Sequence, residues 1–344
     1  MKMKQQIKVT GLLVFALFCN GIHSETLRHE SFADVLLRYE NDTEHNNLRD
    51  RERMRVIAHV GIQSHWSTRW QSQVRLSTGL RNRQNVPAIT AHRFNDQPNP
   101  DDDVYIDRAF LTGSFSQLTV KLGKQPWASK QITDIFWDRD LNPIGASVDW
   151  QISDNNTLHV SQFKPLDGEG ATVGNLTVAQ WQSTTRWKQW QLTFMPWWVN
   201  YNGDTNARFA TKDTQYDNEF VRVSMSANYG PWQLGADVGK SITGNFDGED
   251  TSFAVELRHG QLKYENDTLL QFRVFRVERF GVIREFAQNA VSRFTTANME
   301  GWDFRLRHKI GAYWWLGMRY SDTETISDEE ETGKRLRIET QYTF

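Results

Sequence analysis

From Arg335 to Phe344 the chain alternates without a break. Leu336, Ile338, Thr340, Tyr342 and Phe344 fall on one face, and Arg335, Arg337, Glu339, Gln341 and Thr343 on the other. A period of two marks a β-strand with one apolar and one polar side. The same pattern recurs upstream. Met54, Val56, Ala58, Val60 and Ile62 interleave with Arg53, Arg55, Ile57, His59 and Gly61, and Trp70, Val74 and Leu76 with Arg69, Gln73 and Arg75. Trp302, Phe304 and Leu306 face away from Asp303, Arg305 and Arg307; Trp314, Leu316, Met318 and Tyr320 face away from Trp315, Gly317, Arg319 and Ser321. A soluble sandwich would alternate in the same way, its inner face meeting a second sheet.

Connection lengths separate the two. Strands read near 32–41, 52–63, 69–80, 103–114, 117–125, 144–153, 157–164, 175–187, 190–201, 218–229, 232–241, 250–259, 267–279, 299–309, 312–323 and 334–344 number sixteen. Even-numbered gaps average roughly three residues and odd-numbered gaps roughly fourteen, the rhythm of short turns at one rim and long loops at the other. The predicted fold is all-β, a transmembrane antiparallel up-and-down β-barrel of about 16 strands, with 14 to 18 allowed by the boundaries. Gly260 to Asn266 has room for a bulge or extra pairing.

Composition agrees with a membrane barrel. The 344 residues carry 14 Trp and 20 Phe beside only 8 Pro, too many large rings for a disordered chain. Mean hydropathy is −0.64, and no stretch after residue 20 approaches the ~18 to 20 apolar residues of a spanning helix. Forty Lys and Arg against 42 Asp and Glu argue against non-specific nucleic-acid binding, which needs a basic face. Lys2, Lys4 and Lys8 before the apolar run Val9 to Phe18, with Ser24 ahead of Glu25, read as a secretory signal peptide over residues 1–24, leaving 25–344 as the barrel. Cys19, the only cysteine, lies within that leader. Disulfides, Cys-ligated metals and a cysteine nucleophile are thereby excluded from the mature chain.

Three sets of residues are candidates for function. Arg53, Arg55, Arg75, Arg305, Arg307, Arg319, Arg335 and Arg337 fall on polar faces of strands that become adjacent when the barrel closes. A sixteen-strand barrel is too wide for side chains to fill, so these residues are expected to line a basic, anion-favouring wall, unless Asp34, Glu40 and Glu339 neutralise it. The long connection Pro126 to Pro143 mixes Ile132, Ile135, Phe136 and Trp137 with Asp134, Asp138 and Asp140. Folded inward, it would form a constriction with carboxylates opposite Arg53, Arg55 and Arg75. Trp66, Trp70, Trp187, Trp190, Trp232, Trp314 and Tyr342 sit near strand ends, where aromatic girdles meet the two water interfaces. Trp315 falls on the inward face.

Two resemblances sharpen this. The last strand, with Ile338, Tyr342 and Phe344, resembles the terminal assembly signal of bacterial outer-membrane barrels. Arg51-Glu-Arg-Met-Arg55, Arg75-Leu-Ser-Thr-Gly79, Ile106-Asp-Arg-Ala-Phe110, Leu122-Gly-Lys-Gln125 and Trp137-Asp-Arg-Asp-Leu-Asn-Pro-Ile-Gly145 resemble, in order and wording, the putative porin family of Gram-negative outer membranes. Alginate-export barrels are similar only in a Gly-Arg-Gln where this chain has Gly123-Lys124-Gln125. The resemblance implies passive diffusion of small hydrophilic solutes through the outer membrane, and no enzyme. It implies as partners outer-membrane lipid and lipopolysaccharide, the barrel-assembly machinery and small solutes, with a homotrimer as the candidate assembly.

Other patterns weigh less. Gly168 to Gly174 lacks the Lys-Ser/Thr and helix of a phosphate loop and reads as an outer loop. Asp101 to Asp103 and Glu329 to Glu331 read as solvated acidic tips. No cofactor and no metal site is expected. A rim hydrolase built on His59, His159, His259 or His308, and an adhesin recognising through Asn82 to Asp102 and Phe280 to Asn298, are the rival functions.

Overall fold

The structure, a computed structural model, describes residues 27–79, 87–95, 103–165, 174–203, 217–243, 248–327 and 330–344. The strands are β1 (Arg28–Thr43), β2 (Arg51–His65), β3 (Trp70–Gly79), β4 (Ile89–Arg93), β5 (Asp103–Phe115) and β6 (Leu118–Lys124). Next come β7 (Ile144–Ser153), β8 (Asn156–Lys164), β9 (Asn175–Trp187), β10 (Trp190–Asn202), β11 (Asp217–Tyr229) and β12 (Trp232–Ser241). The chain ends through β13 (Thr251–Gly260), β14 (Thr268–Val277), β15 (Met299–Gly311), β16 (Trp314–Thr325) and β17 (Thr332–Thr343).

Neighbours pair antiparallel, and β17 returns to β1 from Asp34 opposite Thr343 to Thr43 opposite Lys334. Closure leaves no edge whose backbone groups would go unpaired in lipid. Sixteen staves result from seventeen strands because β3 and β4 are two halves of one. Both lie along β2, β3 on His59–His65 and β4 on Arg53–Val56. The stave breaks at Gly79, whose φ of 123° only glycine adopts readily and where a Cβ would meet the Pro87 backbone at 2.7 Å. The chain re-enters the sheet through Ala88, which is buried inside the barrel beside Leu36, Ile57 and Trp315.

Alternation sorts the faces as expected. Val60, Ile62, Val74, Leu76, Phe272, Val274, Leu316, Met318 and Ile338 are exposed on the outside, the apolar band that lipid covers. The girdle differs from expectation. All seven named aromatics lie at the rim of short turns, six of them exposed. Towards the long-loop rim, other outward aromatics, Phe94, Trp198 and Phe253, are exposed together with the ion pairs Arg276–Glu300 and Lys334–Glu44. Between β13 and β14 the described chain forms no extra strand; the irregularity lies in β15, between Lys309 and Gly311.

Two acidic-tip readings need revision or fall outside view. Glu331 is buried, not solvated: its carboxylate accepts the Asn46 N–H at 2.9 Å and the Asn47 N–H at 3.1 Å, tying the β1–β2 loop to the β16–β17 loop. The expected leader 1–24, the Gly168 to Val173 segment, Asp101, Asp102 and Glu329, and residues 82–86 and 96–102 of one proposed recognition loop lie outside the described residues.

Candidate constriction of the lumen

Register places the arginines in three stacked rows across β14, β15, β16, β17, β1 and β2. Nearest the long loops run Arg273, Asp303, Ser321, Arg335, Asp42 and Arg51. Below them run Gln271, Arg305, Arg319, Arg337, Glu40 and Arg53, and then Arg307, Gly317, Glu339, Arg38 and Arg55. Ten guanidiniums therefore share this wall with four carboxylates.

Many of these charges are clamped. Glu40 takes both Arg53 and Arg337, the latter at 2.8 Å; Asp42 takes Arg51 and Arg335; Glu339 takes Arg38. Asp303 accepts from Arg319 and Arg273, each at 2.7 Å, and Arg75 is paired with Asp107 on β5. A carboxylate shared by two arginines neutralises only one of them. Arg55 instead donates to the Ala88 carbonyl at 2.6 Å, and Arg307 donates to Gln271 at 2.8 Å with its guanidinium 5.8 Å from the Trp315 ring centre. Among the described residues neither has a carboxylate within ion-pair distance.

The opposite wall is different. Towards the long loops its inward side chains include the buried apolar Phe163, Leu176, Val178, Trp197, Val199, Tyr201 and Phe220, joined by Phe275 and Val277 at the long-loop end of β14. A water-filled barrel could not leave them bare. The loop between β6 and β7 folds inward and covers them with Ile135, Phe136, Trp137 and Leu141. Trp137, 1% exposed, stacks on Trp127 at 4.2 Å and meets Phe286 at 5.2 Å. Gln125 fixes the loop base: its Nε2 donates to the Lys121 and Gly145 carbonyls and its Oε1 accepts from Ser147 at 2.7 Å.

A second inward loop was not anticipated. Phe280 to Asn298, read above as an outward recognition loop, buries Val282, Ile283, Phe286, Ala287 and Val291 in the same cluster. The two loops are bonded to each other, Asp138 N–H to the Phe286 carbonyl at 2.7 Å and Gln288 N–H to the Ile135 carbonyl at 3.3 Å. Two buried arginines pin them to the wall. Arg222 lies 4.2 Å over the Phe136 ring and donates to the Gly281 carbonyl at 3.2 Å. Arg273 reaches Asp134 on one loop, Gln288 on the other at 3.1 Å and Asp303 on the wall. Their signal in the sequence is the odd apolar content of residues 282–291, the same signal that marked the first loop.

Among the described residues, cavities lie against the loops, three of them as follows. One of about 30 Å³, lined by Arg55, Ala88, Asp138, Arg139, Arg319 and Arg337 among others, is the candidate throat; such a space holds about two water molecules. One of about 180 Å³ lies below it against His59, Arg305, Arg307, Trp315 and Glu339. A third of about 480 Å³, between Trp127, Gln131, Gln182, Met195, Ser226 and Gln233, opens on the neutral side. Asp140 lines the first two. Asp134 pairs with Arg273 and lies 3.5 Å from Arg305, so of the expected partners Arg53, Arg55 and Arg75 only Arg55 shares a cavity with the loop carboxylates.

Electrostatics divide the loop acids. The Arg273 and Arg305 guanidiniums outweigh burial and hold the Asp134 carboxyl well below the usual range. Burial first, and the Asp140 charge second, push Asp138 up to about 7. A carboxyl raised on folding favours the folded loop at low pH, and that stability falls as pH rises from its unfolded value near ~4 through about 7. Current should therefore be quieter at pH 5 than at pH 8.5. Asp138→Asn should abolish the difference; equal noise at both pH values in the unaltered chain would contradict the assignment.

Of the histidines weighed for a hydrolase, His59 lies 3.0 Å from Asp34, His159 lies 2.7 Å from Asp149, His308 bonds Thr268 and His259 packs on Trp232.

Residues 27–168 match the family model described as putative porin. The matched segment runs from β1 through β8 and includes the first inward loop. A search of curated proteins finds no match. Among solved structures the chain is similar to OprB of Pseudomonas putida, at 8% identity over 92% of this chain and 94% of that one, with a TM-score of 0.60. It is also similar to OccAB4 of Acinetobacter baumannii, at 12% identity over 94% and 100%, with a TM-score of 0.51. At these identities the likeness is one of fold.

Proposed function

We propose that the chain is a porin of the Gram-negative outer membrane, a diffusion channel with lipid around it and small solutes within, and that it is a narrow channel favouring anions. One observation carries the proposal, the excess of ten guanidiniums over four carboxylates on one lumen wall. Counting Asp134, Asp138 and Asp140 against Arg139 leaves the throat positive. Low-dielectric walls focus that charge along the path. In this reading the wall includes Arg53, Arg55, Arg305, Arg307, Arg319, Arg335 and Arg337, with Arg75 beside it on β3, and Asp134, Trp137, Asp138 and Asp140 belong to the constriction.

The wider assignments complete the picture. By the same proposal residues 1–24 act as the export signal, Ile338, Tyr342 and Phe344 present the assembly signal to the barrel-assembly machinery, lipopolysaccharide surrounds the long-loop rim, and a homotrimer is the candidate assembly. A throat this narrow favours small solutes over a polymer, against an alginate-export role.

In a planar bilayer under a KCl gradient the reversal potential should report anion preference. Arg55→Gln with Arg307→Gln, which removes two charges lacking a carboxylate partner, should move it towards zero, more in dilute than in concentrated salt. Cation preference in the unaltered channel would overturn the proposal and make the loop carboxylates dominant.

A further inference from the structure

Around position 139 the loop commits the polar side chains of Trp137, Asp138 and Asn142 to the scaffold. Asp138 is buried, its Oδ1 accepting the Asp140 N–H at 2.9 Å and its Oδ2 the Asn289 N–H at 3.2 Å. Trp137 Nε1 donates to the Leu141 carbonyl at 3.2 Å, and Leu141 N–H donates to the Asp138 carbonyl at 3.2 Å. Asn142 accepts from Arg108 at 2.9 Å. This closed turn holds its most exposed residue out at the tip, beside the half-buried Asp140.

That residue is Arg139. Its side chain is 55% exposed, whereas those of the wall arginines Arg319, Arg335 and Arg337 are 6 to 7% exposed. Its carboxylate contact is the adjacent Asp140 at 3.9 Å, the outer limit of an ion pair. It lines the throat, the cavity below it and the neutral-side cavity alike, the one residue common to all three.

We infer that Arg139, and not the clamped ladder, is the selectivity-determining charge of this channel, the guanidinium that small anions meet on passing between its chambers. The inference rests on the anion-favouring reading above. A clamped arginine can bind a passing anion only by giving up a desolvated carboxylate at hydrogen-bond distance, which is costly. Arg139 gives up a loose contact and offers a planar fork of donors suited to carboxylate and phosphate oxygens. Its charge is also the most exposed at the candidate throat, where a solute has least water around it.

The test uses the full barrel in a planar bilayer under a KCl gradient. Arg139→Gln should lose most of the anion preference, Arg139→Glu should reverse it, and Arg139→Lys should keep most of it. All three should fold, since no scaffold hydrogen bond uses this side chain; unchanged heat-modifiable gel migration checks that. A wild-type reversal potential in Arg139→Gln, with the unaltered channel anion-selective, overturns the inference and leaves the anion reading standing. An unaltered channel without anion preference overturns the reading itself. Accessibility gives an independent measurement. Because Cys19 is the chain's only thiol, Arg139→Cys with Cys19→Ser carries a single one, and a charged methanethiosulfonate should block current when added to either side. Block from neither side, or from one alone, counts against a residue shared by the chambers.

Discussion

Replacing residues 129–140 by a short Gly-Ser turn should raise single-channel conductance severalfold. The segment supplies Ile135, Phe136 and Trp137 to the cluster that covers the apolar wall, and Asp134, Asp138, Arg139 and Asp140 to the throat. Its removal takes away the narrowest section and the partner of the second loop, which loses its bonds to Ile135 and Asp138. A change that destroys the barrel would confuse the result, so a length-preserving variant is needed. Phe136→Ala with Trp137→Ala keeps the chain but removes two buried rings, each worth about 3–5 kcal/mol of packing. The loop should then detach intermittently and the current should flicker between the original and the enlarged level. Size effects of this kind persist in concentrated salt, whereas charge effects fade. Unchanged conductance in the shortened variant would retire this loop as the constriction and leave the loop from Phe280 to Asn298 in its place.

The barrel was readable because each of its determinants is local. A period of two is a property of neighbours, and the alternation of two-residue turns such as 154–155 and 188–189 with long loops needs only strand ends. The inward fold of the first loop was also readable, from the mixture of Phe136 and Trp137 with three aspartates. The same mixture in Val282, Ile283, Phe286 and Val291 carries the same message, and reading it as a recognition loop weighed length above composition. What the sequence could not disclose is pairing. Glu40 meets Arg53 across 13 residues and Arg337 across 297, and only the register of closure decides which carboxylate shares a row with which guanidinium. Arg222 and Arg273 were missed for the same reason. Each looks like any inward arginine until the loops fold onto it. The broken stave is a similar case, since five residues of β4 seen alone do not reveal that they continue β3.

Deleting Phe344 should sharply reduce the amount of assembled barrel in cells while leaving the stability of barrel refolded in detergent nearly unchanged. Its side chain is 70% exposed and touches little beyond the Tyr342 ring at 4.8 Å. Its backbone adds one seam bond, from its N–H to the Ala33 carbonyl at 2.8 Å, beside the pairing of β17 with β1 from Asp34 to Thr43. One hydrogen bond among many in a closed sheet is worth about 1 kcal/mol, a small part of the whole. The finished barrel therefore has little use for the residue. If Phe344 belongs to the proposed assembly signal, an unfinished barrel does need it, because until β17 reaches β1 the sheet has two open edges that lipid cannot satisfy. Ile338 and Tyr342, exposed on the same outer face, complete the row of apolar groups that a receptor could grip before closure. Quantitative blotting of heat-modifiable protein in outer-membrane fractions measures the first effect, and thermal melting of the refolded protein the second. Normal assembly of the truncated chain would remove Phe344 from the assembly signal, and a large loss of melting temperature would move its role from assembly into the seam itself.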